Sequence, residues 1–297
     1  MSRLGSALIL GANGQVGREL QRTFPDTDLI ACDRRQADLA NPAQLRDLVR
    51  RSKPEIVLNA AAYTAVDRAE TDRDAAIDIN ADAPRVLAEE ARRLGALLIH
   101  YSTDYVFDGS KDAPWREADA PNPLNVYGAS KLAGEQAVRE IGGRHLIFRT
   151  SWVYGPHGKN FLQTMLRLAG ERDRLSVVND QTGAPTPSIV IADATRTIVD
   201  SVFARAAGPE SDWSGLYHMT CSGSTTWYGF ASEIFARAGS LVTSVPEVLP
   251  ITSNDYPTPA KRPRNSVLSN EKLAAHFGVC LPAWEEALDD VLAQMRA

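Results

Sequence analysis

Cysteine is scarce in this 297-residue chain: Cys32, Cys221 and Cys280 lie far apart, are odd in number and form no C-x-x-C pair. That excludes a disulfide framework or a zinc ribbon and fits a reducing, cytoplasmic setting. An excess of basic residues is missing as well. Lys and Arg number 32 against 37 Asp and Glu, a net charge of −5, so no basic surface recommends a nucleic-acid partner. Long apolar runs are absent. The N-terminal run, Ala7 to Leu10, is ended by Gly11 and falls far short of a signal-peptide core or a membrane span, so no membrane partner is expected. There is no internal repeat, heptad run or low-complexity tract.

What is present has the mix of a folded domain, with 44% hydrophobic and 23% charged residues. The length fits one large domain or two unequal ones. In the first half, strand-like and helix-like segments alternate. Strands are expected at Ala7–Leu10, Leu29–Cys32, Ile56–Leu58, Leu97–Tyr101 and His145–Arg149. Helices are expected at Gln15–Phe24, Pro42–Arg51 with Asn41 as cap, Ala75–Leu94 and Ser130–Ile141. This alternation predicts an α/β fold with a doubly wound parallel sheet covered on both faces. After about Thr150, Pro and Gly become frequent, and helices are expected at Phe161–Ala169, Ile191–Phe203 and Phe230–Arg237. The expected division is a nucleotide-binding domain over residues 1–150, joined by part of 190–220, and a smaller substrate-binding domain made mainly of 151–297.

Gly11-Ala12-Asn13-Gly14-Gln15-Val16-Gly17 follows the first strand and opens the first helix. Glycines at this spacing let the backbone turn tightly and approach a pyrophosphate, and the free N–H groups of the helix start bind its charge. Gly11, Asn13, Gly14, Gln15, Val16 and Gly17 are therefore candidate cofactor contacts. Asp33 ends the second strand, where an acid meets the ribose hydroxyls of NAD; Arg34 and Arg35 follow and suit the 2′-phosphate of NADP. NADPH and NADH both remain open. Asn59-Ala60-Ala61-Ala62 follows the third strand, and small side chains at Ala60, Ala61 and Ala62 let a cofactor lie against the backbone.

Tyr127 and Lys131 stand four apart and share one face of a helix. A lysine ammonium near a tyrosine favours the phenolate and lowers a pKa that otherwise lies near 10. Thr103 places a hydroxyl just beyond the strand at Leu97, at the end of the sheet where such folds bind ligands. Tyr127, Lys131 and Thr103 are the candidate catalytic set.

In order and spacing, these elements resemble the extended short-chain dehydrogenase/reductase family, whose fold is Rossmann-type. More narrowly, they resemble its dTDP-4-dehydrorhamnose reductases. The resemblance covers nearly the whole chain and includes Asn59–Asp67, Ser102–Gly109, Arg149–Gly155, Gln181–Thr186 and Arg262–Ser266. It implies that Thr103, Tyr127 and Lys131 are catalytic. It further implies cofactor contacts at Gly14, Gln15, Val16, Asp33, Asp38, Leu39, Ala62, Tyr63, Thr64, Tyr127 and Lys131. A dTDP-sugar substrate would lie near Thr103, Asp104 and Trp152, with Tyr105, Arg262 and Asn265 completing the substrate set. Trp152 can also be core packing, and Arg262 can also be a solvated loop charge. Some relatives bind magnesium between subunits; here Glu19 matches one ligand but Ile189 stands where another is expected, so no metal site is predicted. A homodimer remains open. The implied activity is NAD(P)H-dependent reduction of a C4 keto group. Two rivals share the fold. A 4,6-dehydratase needs an Asp-Glu pair after the threonine, and here Tyr105 follows Asp104. A non-catalytic NADP-binding regulatory subunit would not need the intact Thr103, Tyr127 and Lys131.

Overall fold

A computed structural model describes residues 5–204 and 213–296. Six parallel strands form the central sheet: β1 (Ser6–Leu10), β2 (Asp28–Cys32), β3 (Ile56–Asn59), β4 (Leu97–Thr103), β5 (His145–Thr150) and β6 (Gly215–His218). Their spatial order is β6-β5-β4-β3-β1-β2. The chain winds outward in both directions from β1 and β3, and a crevice opens beyond the C-terminal ends of these strands.

Side chains alternate between the two faces of the sheet. Ile9, Leu58 and Ile99 face helices α1 (Gln15–Thr23) and α5 (Ser188–Ala204) through Leu20, Ile191 and Ile198. Leu8, Val57 and Leu98 face α2 (Pro42–Ser52), α3 (Ala83–Leu94) and α4 (Val126–Ile141) through Val49, Leu87 and Val138. Both layers are closed, as parallel sheets require. A further apolar cluster joins helices Phe161–Ala169, Trp227–Ala238 and Trp284–Arg296 around Leu162, Phe230 and Leu288.

The expected elements appear, with informative shifts. Asn41 caps α2 by accepting from the Gln44 N–H at 3.1 Å. Helix α4 begins at Val126 rather than Ser130, because the Asn125 side chain accepts from the Gly128 N–H at 2.7 Å. The added turn makes Tyr127 helical. The helix expected over 75–94 is interrupted by a π-type turn at Asp78–Asp82, and Ala83 and Pro84 open the next helix. Pro84 has no N–H for the Asn80 carbonyl, so the regular ladder cannot run through. That turn carries Asn80 into the interior. Its side chain bonds the Tyr63 N–H at 2.9 Å, the Tyr63 carbonyl at 3.0 Å and Ser130 Oγ at 3.0 Å. One amide thus ties the loop after β3 to α4.

Candidate active site

A cleft of about 710 Å³ crosses the C-terminal ends of β1, β3, β4 and β5. Of the expected cofactor residues, Gly11, Asn13, Gly14, Gln15, Val16, Asp33, Arg34, Asp38, Leu39, Ala60, Ala61, Ala62, Tyr63, Thr64, Tyr127 and Lys131 all line it. Gly17 lies beneath the turn instead. A Cβ there would sit 2.1 Å from the Gly11 carbonyl oxygen, so only glycine lets α1 start this close. Gly11 has φ +83°, and a Cβ on it would meet the Ala61 nitrogen at 2.8 Å. Gly14 caps α1 with no side-chain hydrogen bond, and the first turn holds no acid. The N–H groups of that turn are therefore available to an anion. The turn, the cleft and the small side chains at 60–62 fit a dinucleotide.

At the far end of β2, the Asp33 carboxylate accepts from Asn13 Nδ2 at 3.1 Å and from the Arg35 and Gln36 N–H groups at 2.9 and 3.2 Å. Arg34 is exposed at the rim. Sequence reasoning did not single out Arg68, Ile79, Ser102, Thr150, Val153, Gly158 or Lys159 as cleft residues. Thr150 and Val153 fall inside the Arg149–Gly155 motif, so a signal existed. Lys159 had none: its loop reaches the cleft because Asn160 Nδ2 donates to Gln15 Oε1 at 2.8 Å, across 145 residues.

The candidate catalytic side chains converge where β4 meets α4. Thr103 is the last residue of β4 rather than lying beyond it, and pairs in register with Thr150. Its hydroxyl donates to Asp104 Oδ1 at 2.9 Å and accepts from the Tyr105 N–H at 3.2 Å. The Tyr127 phenol lies close to the same hydroxyl, and its ring meets Tyr105 edge-on, 5.8 Å between centroids. Lys131 is buried and donates to the Tyr101 carbonyl at 2.7 Å.

The expectation that Lys131 lowers the Tyr127 pKa is not met. Burial pushes the phenol up to about 12, offset in part by Thr103 and reinforced by the nearby Asp104 charge. Burial lowers Lys131 to about 8, with Glu135 acting against it. Burial also raises Asp104 to about 6. Glu135 is itself fixed by two hydrogen bonds from Arg149, at 2.8 and 2.6 Å, and one from Ser102.

None of the expected substrate residues lines this cleft. Trp152 has the left-handed φ of +46° and stacks on Trp227, with centroids 3.6 Å apart and planes 7° from parallel. Arg262 is neither a free charge nor an open cation. It forms a two-pronged pair with Asp67, at 3.1 and 2.8 Å, which holds that carboxyl below its usual range. Asn265 commits its amide to the Lys111 and Ala113 carbonyls and the Val267 N–H, and it lines a separate cleft of about 250 Å³ with Arg264 and Asp112.

Residues 5–297 match the family described as RmlD substrate binding domain. A dTDP-4-dehydrorhamnose reductase from Burkholderia thailandensis is 50% identical over 97% of this chain and 99% of its own length. The dTDP-4-dehydrorhamnose reductase of Escherichia coli K12 is 46% identical over 97% of both chains. Among solved structures, the dTDP-4-dehydrorhamnose reductase of Bacillus anthracis in complex with NADP superposes with a TM-score of 0.88. It has 36% identity, over 97% of this chain and 99% of that one. With sequence and overall fold shared over nearly the full length, this chain belongs to the RmlD substrate binding domain family.

Proposed function

We propose that the protein is a nicotinamide-dependent reductase that converts the C4 carbonyl of dTDP-4-dehydro-β-L-rhamnose to the hydroxyl of dTDP-L-rhamnose, using NADPH or NADH. One observation carries this reading. Tyr127 stands beside Thr103, with Lys131 one turn on, at the wall of a cleft whose glycine turn admits a pyrophosphate. The names of full-length relatives point to the same chemistry. In this reading residues 1–150, with part of 190–220, hold the cofactor and 151–297 mainly hold the sugar nucleotide. Three free thiols suit a cytoplasmic enzyme.

A reduced nicotinamide, when bound, supplies the hydride that adds to the sugar carbonyl carbon. Tyr127 keeps its proton at neutral pH and transfers it to the carbonyl oxygen as charge develops there. The oxygen gains that proton as the C=O π bond breaks, and water restores it to the phenolate. Lys131, charged below about 8, would offer an N–H to the ribose of a bound cofactor. Thr103, whose hydroxyl is bonded to Asp104 Oδ1, stands beside the Tyr127 phenol and favours its ionised form. Arg68 and Lys159 bring positive charge to the cleft wall for phosphates. Asp104, Tyr105, Trp152, Arg262 and Asn265 shape the sugar side.

The test is spectroscopic. One NAD(P)H should be oxidised per molecule of 4-keto-6-deoxy sugar nucleotide reduced, and dTDP-glucose should yield no 4-keto product. Formation of that product from dTDP-glucose would make the protein a dehydratase.

A further inference from the structure

Below the cleft floor lies a polar row that the reading above does not use. Asn59 on β3 and His100 on β4 are direct register partners, and each is 1% exposed. Both side chains share the sheet face of Val57 and Leu98, against which α4 packs. The His100 imidazole lies between two amino groups. Nδ1 is 3.1 Å from Asn59 Nδ2, and Nε2 is 3.4 Å from Lys131 Nζ. Meanwhile Asn59 Oδ1 is buried with no partner.

Those facts conflict until the protons are placed. A neutral imidazole has one donor and one acceptor nitrogen, whereas a lysine ammonium has three donors and no acceptor. Burial and the Lys131 charge both drive His100 well below its usual pKa, so it is neutral. Nε2, facing Lys131, must therefore accept, and Nδ1 must carry the proton. That proton needs an acceptor, and the orphaned Asn59 oxygen is the one at hand. Turning the Asn59 amide by half a rotation, a choice that heavy-atom positions do not distinguish, places Oδ1 on the Nδ1–H group. The row then runs in one direction, from Lys131 through His100 to Asn59.

We propose that His100 is a positioning residue for Lys131: held as the neutral Nδ1–H tautomer by Asn59, it accepts one ammonium proton on Nε2. The Tyr101 carbonyl takes a second at 2.7 Å. Only the third remains for the cleft, of which Lys131 is a lining residue. A four-carbon side chain with free torsions is thereby aimed from below by two groups on one strand. The titratable groups near Lys131 are Glu135 and Tyr127 on its own helix and His100 on β4; of these only Glu135 is charged at neutral pH, and it is already held by Arg149 and Ser102. His100 is thus the neutral acceptor that favours the ammonium form.

The role of Lys131 toward cofactor and Tyr127 rests on the reductase reading, so the first test avoids activity altogether. In ¹⁵N-histidine-labelled protein without ligand, the signal that disappears in His100→Gln should show a protonated Nδ1 and a bare Nε2, and should not titrate between pH 5 and 9. A protonated Nε2, or a titrating ring, overturns the proposal. The second test compares two variants. Glutamine can present its amide oxygen where Nε2 stands, whereas leucine cannot. His100→Leu should weaken NADPH binding about tenfold, as for one lost charge-assisted hydrogen bond. It should also move the alkaline limb of kcat to lower pH, and His100→Gln should restore both to near wild type. Equal losses in the two variants, or a lowered melting temperature with an unmoved pH limb, would make His100 structural only. If no sugar nucleotide is turned over, the nuclear magnetic resonance and NADPH-binding outcomes still decide the point.

Discussion

Replacing Tyr127 with phenylalanine removes one oxygen and leaves the ring. The ring keeps its edge-on contact with Tyr105. Thr103 keeps its bonds to Asp104 and the Tyr105 N–H, so no buried donor is stranded. Stability should change by no more than about 1 kcal/mol. The chemistry should change far more. With Tyr127 at about 12, about five decades separate neutral pH from ionisation, so nearly every molecule carries the proton that the reaction requires. Loss of a general acid costs about 10²–10⁴-fold. At 1.36 kcal/mol per decade this is about 3–5 kcal/mol of barrier. Since the ring still fills its place, NADPH affinity should stay within a few-fold. The assay is single-turnover loss of NADPH absorbance with saturating dTDP-4-dehydro-β-L-rhamnose, alongside cofactor titration and a melting curve. Turnover within a few-fold of wild type would remove Tyr127 from proton transfer. Equal losses in rate and cofactor affinity would mean that the hydroxyl serves binding instead.

Three other outcomes follow. Asp33→Ala should lower kcat/KM for NADH more than for NADPH, since ribose hydroxyls lose an acceptor while a 2′-phosphate loses a repulsive neighbour; equal losses would show that Asp33 serves only the turn it caps. Gly17→Ala should abolish measurable cofactor binding by calorimetry, because its Cβ would lie 2.1 Å from the Gly11 carbonyl oxygen, and retained affinity would contradict the close approach of α1. Asp104 is raised from 3.8 to about 6 in the folded protein, so the native state holds its proton longer than the unfolded chain does. Its contribution to stability is full below 3.8 and is lost as pH rises through about 6. Asp104→Asn should therefore gain up to about 3 kcal/mol over wild type at pH 8 and little at pH 4, read from paired denaturant curves; a gain independent of pH would refute the burial argument.

Local chemistry made much of this protein legible. The glycine turn, the Asn41 cap and the Tyr127–Lys131 spacing are written within a few residues of one another, where backbone geometry leaves little choice. Alternating short apolar runs and helices sufficed for a parallel sheet with both faces covered, because every βαβ unit repeats the same burial pattern. Element ends were less legible. Helix α4 gained a turn from the Asn125 cap, and the helix before α3 was broken by the proline that follows Asp78–Asp82.

The remaining features were decided by segments far apart in sequence. Arg262 meets Asp67 across 195 residues, which holds a candidate substrate residue in an ion pair. Lys159 reaches the cleft only because Asn160 finds Gln15. The protonation of the site is also tertiary: Tyr127 rises and Lys131 falls because packing removes water from both, which no spacing of residues expresses. His100 looked like one more residue of a buried strand until the register of β3 with β4 set it beside Asn59 and under Lys131. By itself the sequence determined which groups were available and the periodicity that folds them. Only the tertiary structure decided which groups touch and which are desolvated, because contact and desolvation depend on neighbours that the chain brings in from elsewhere.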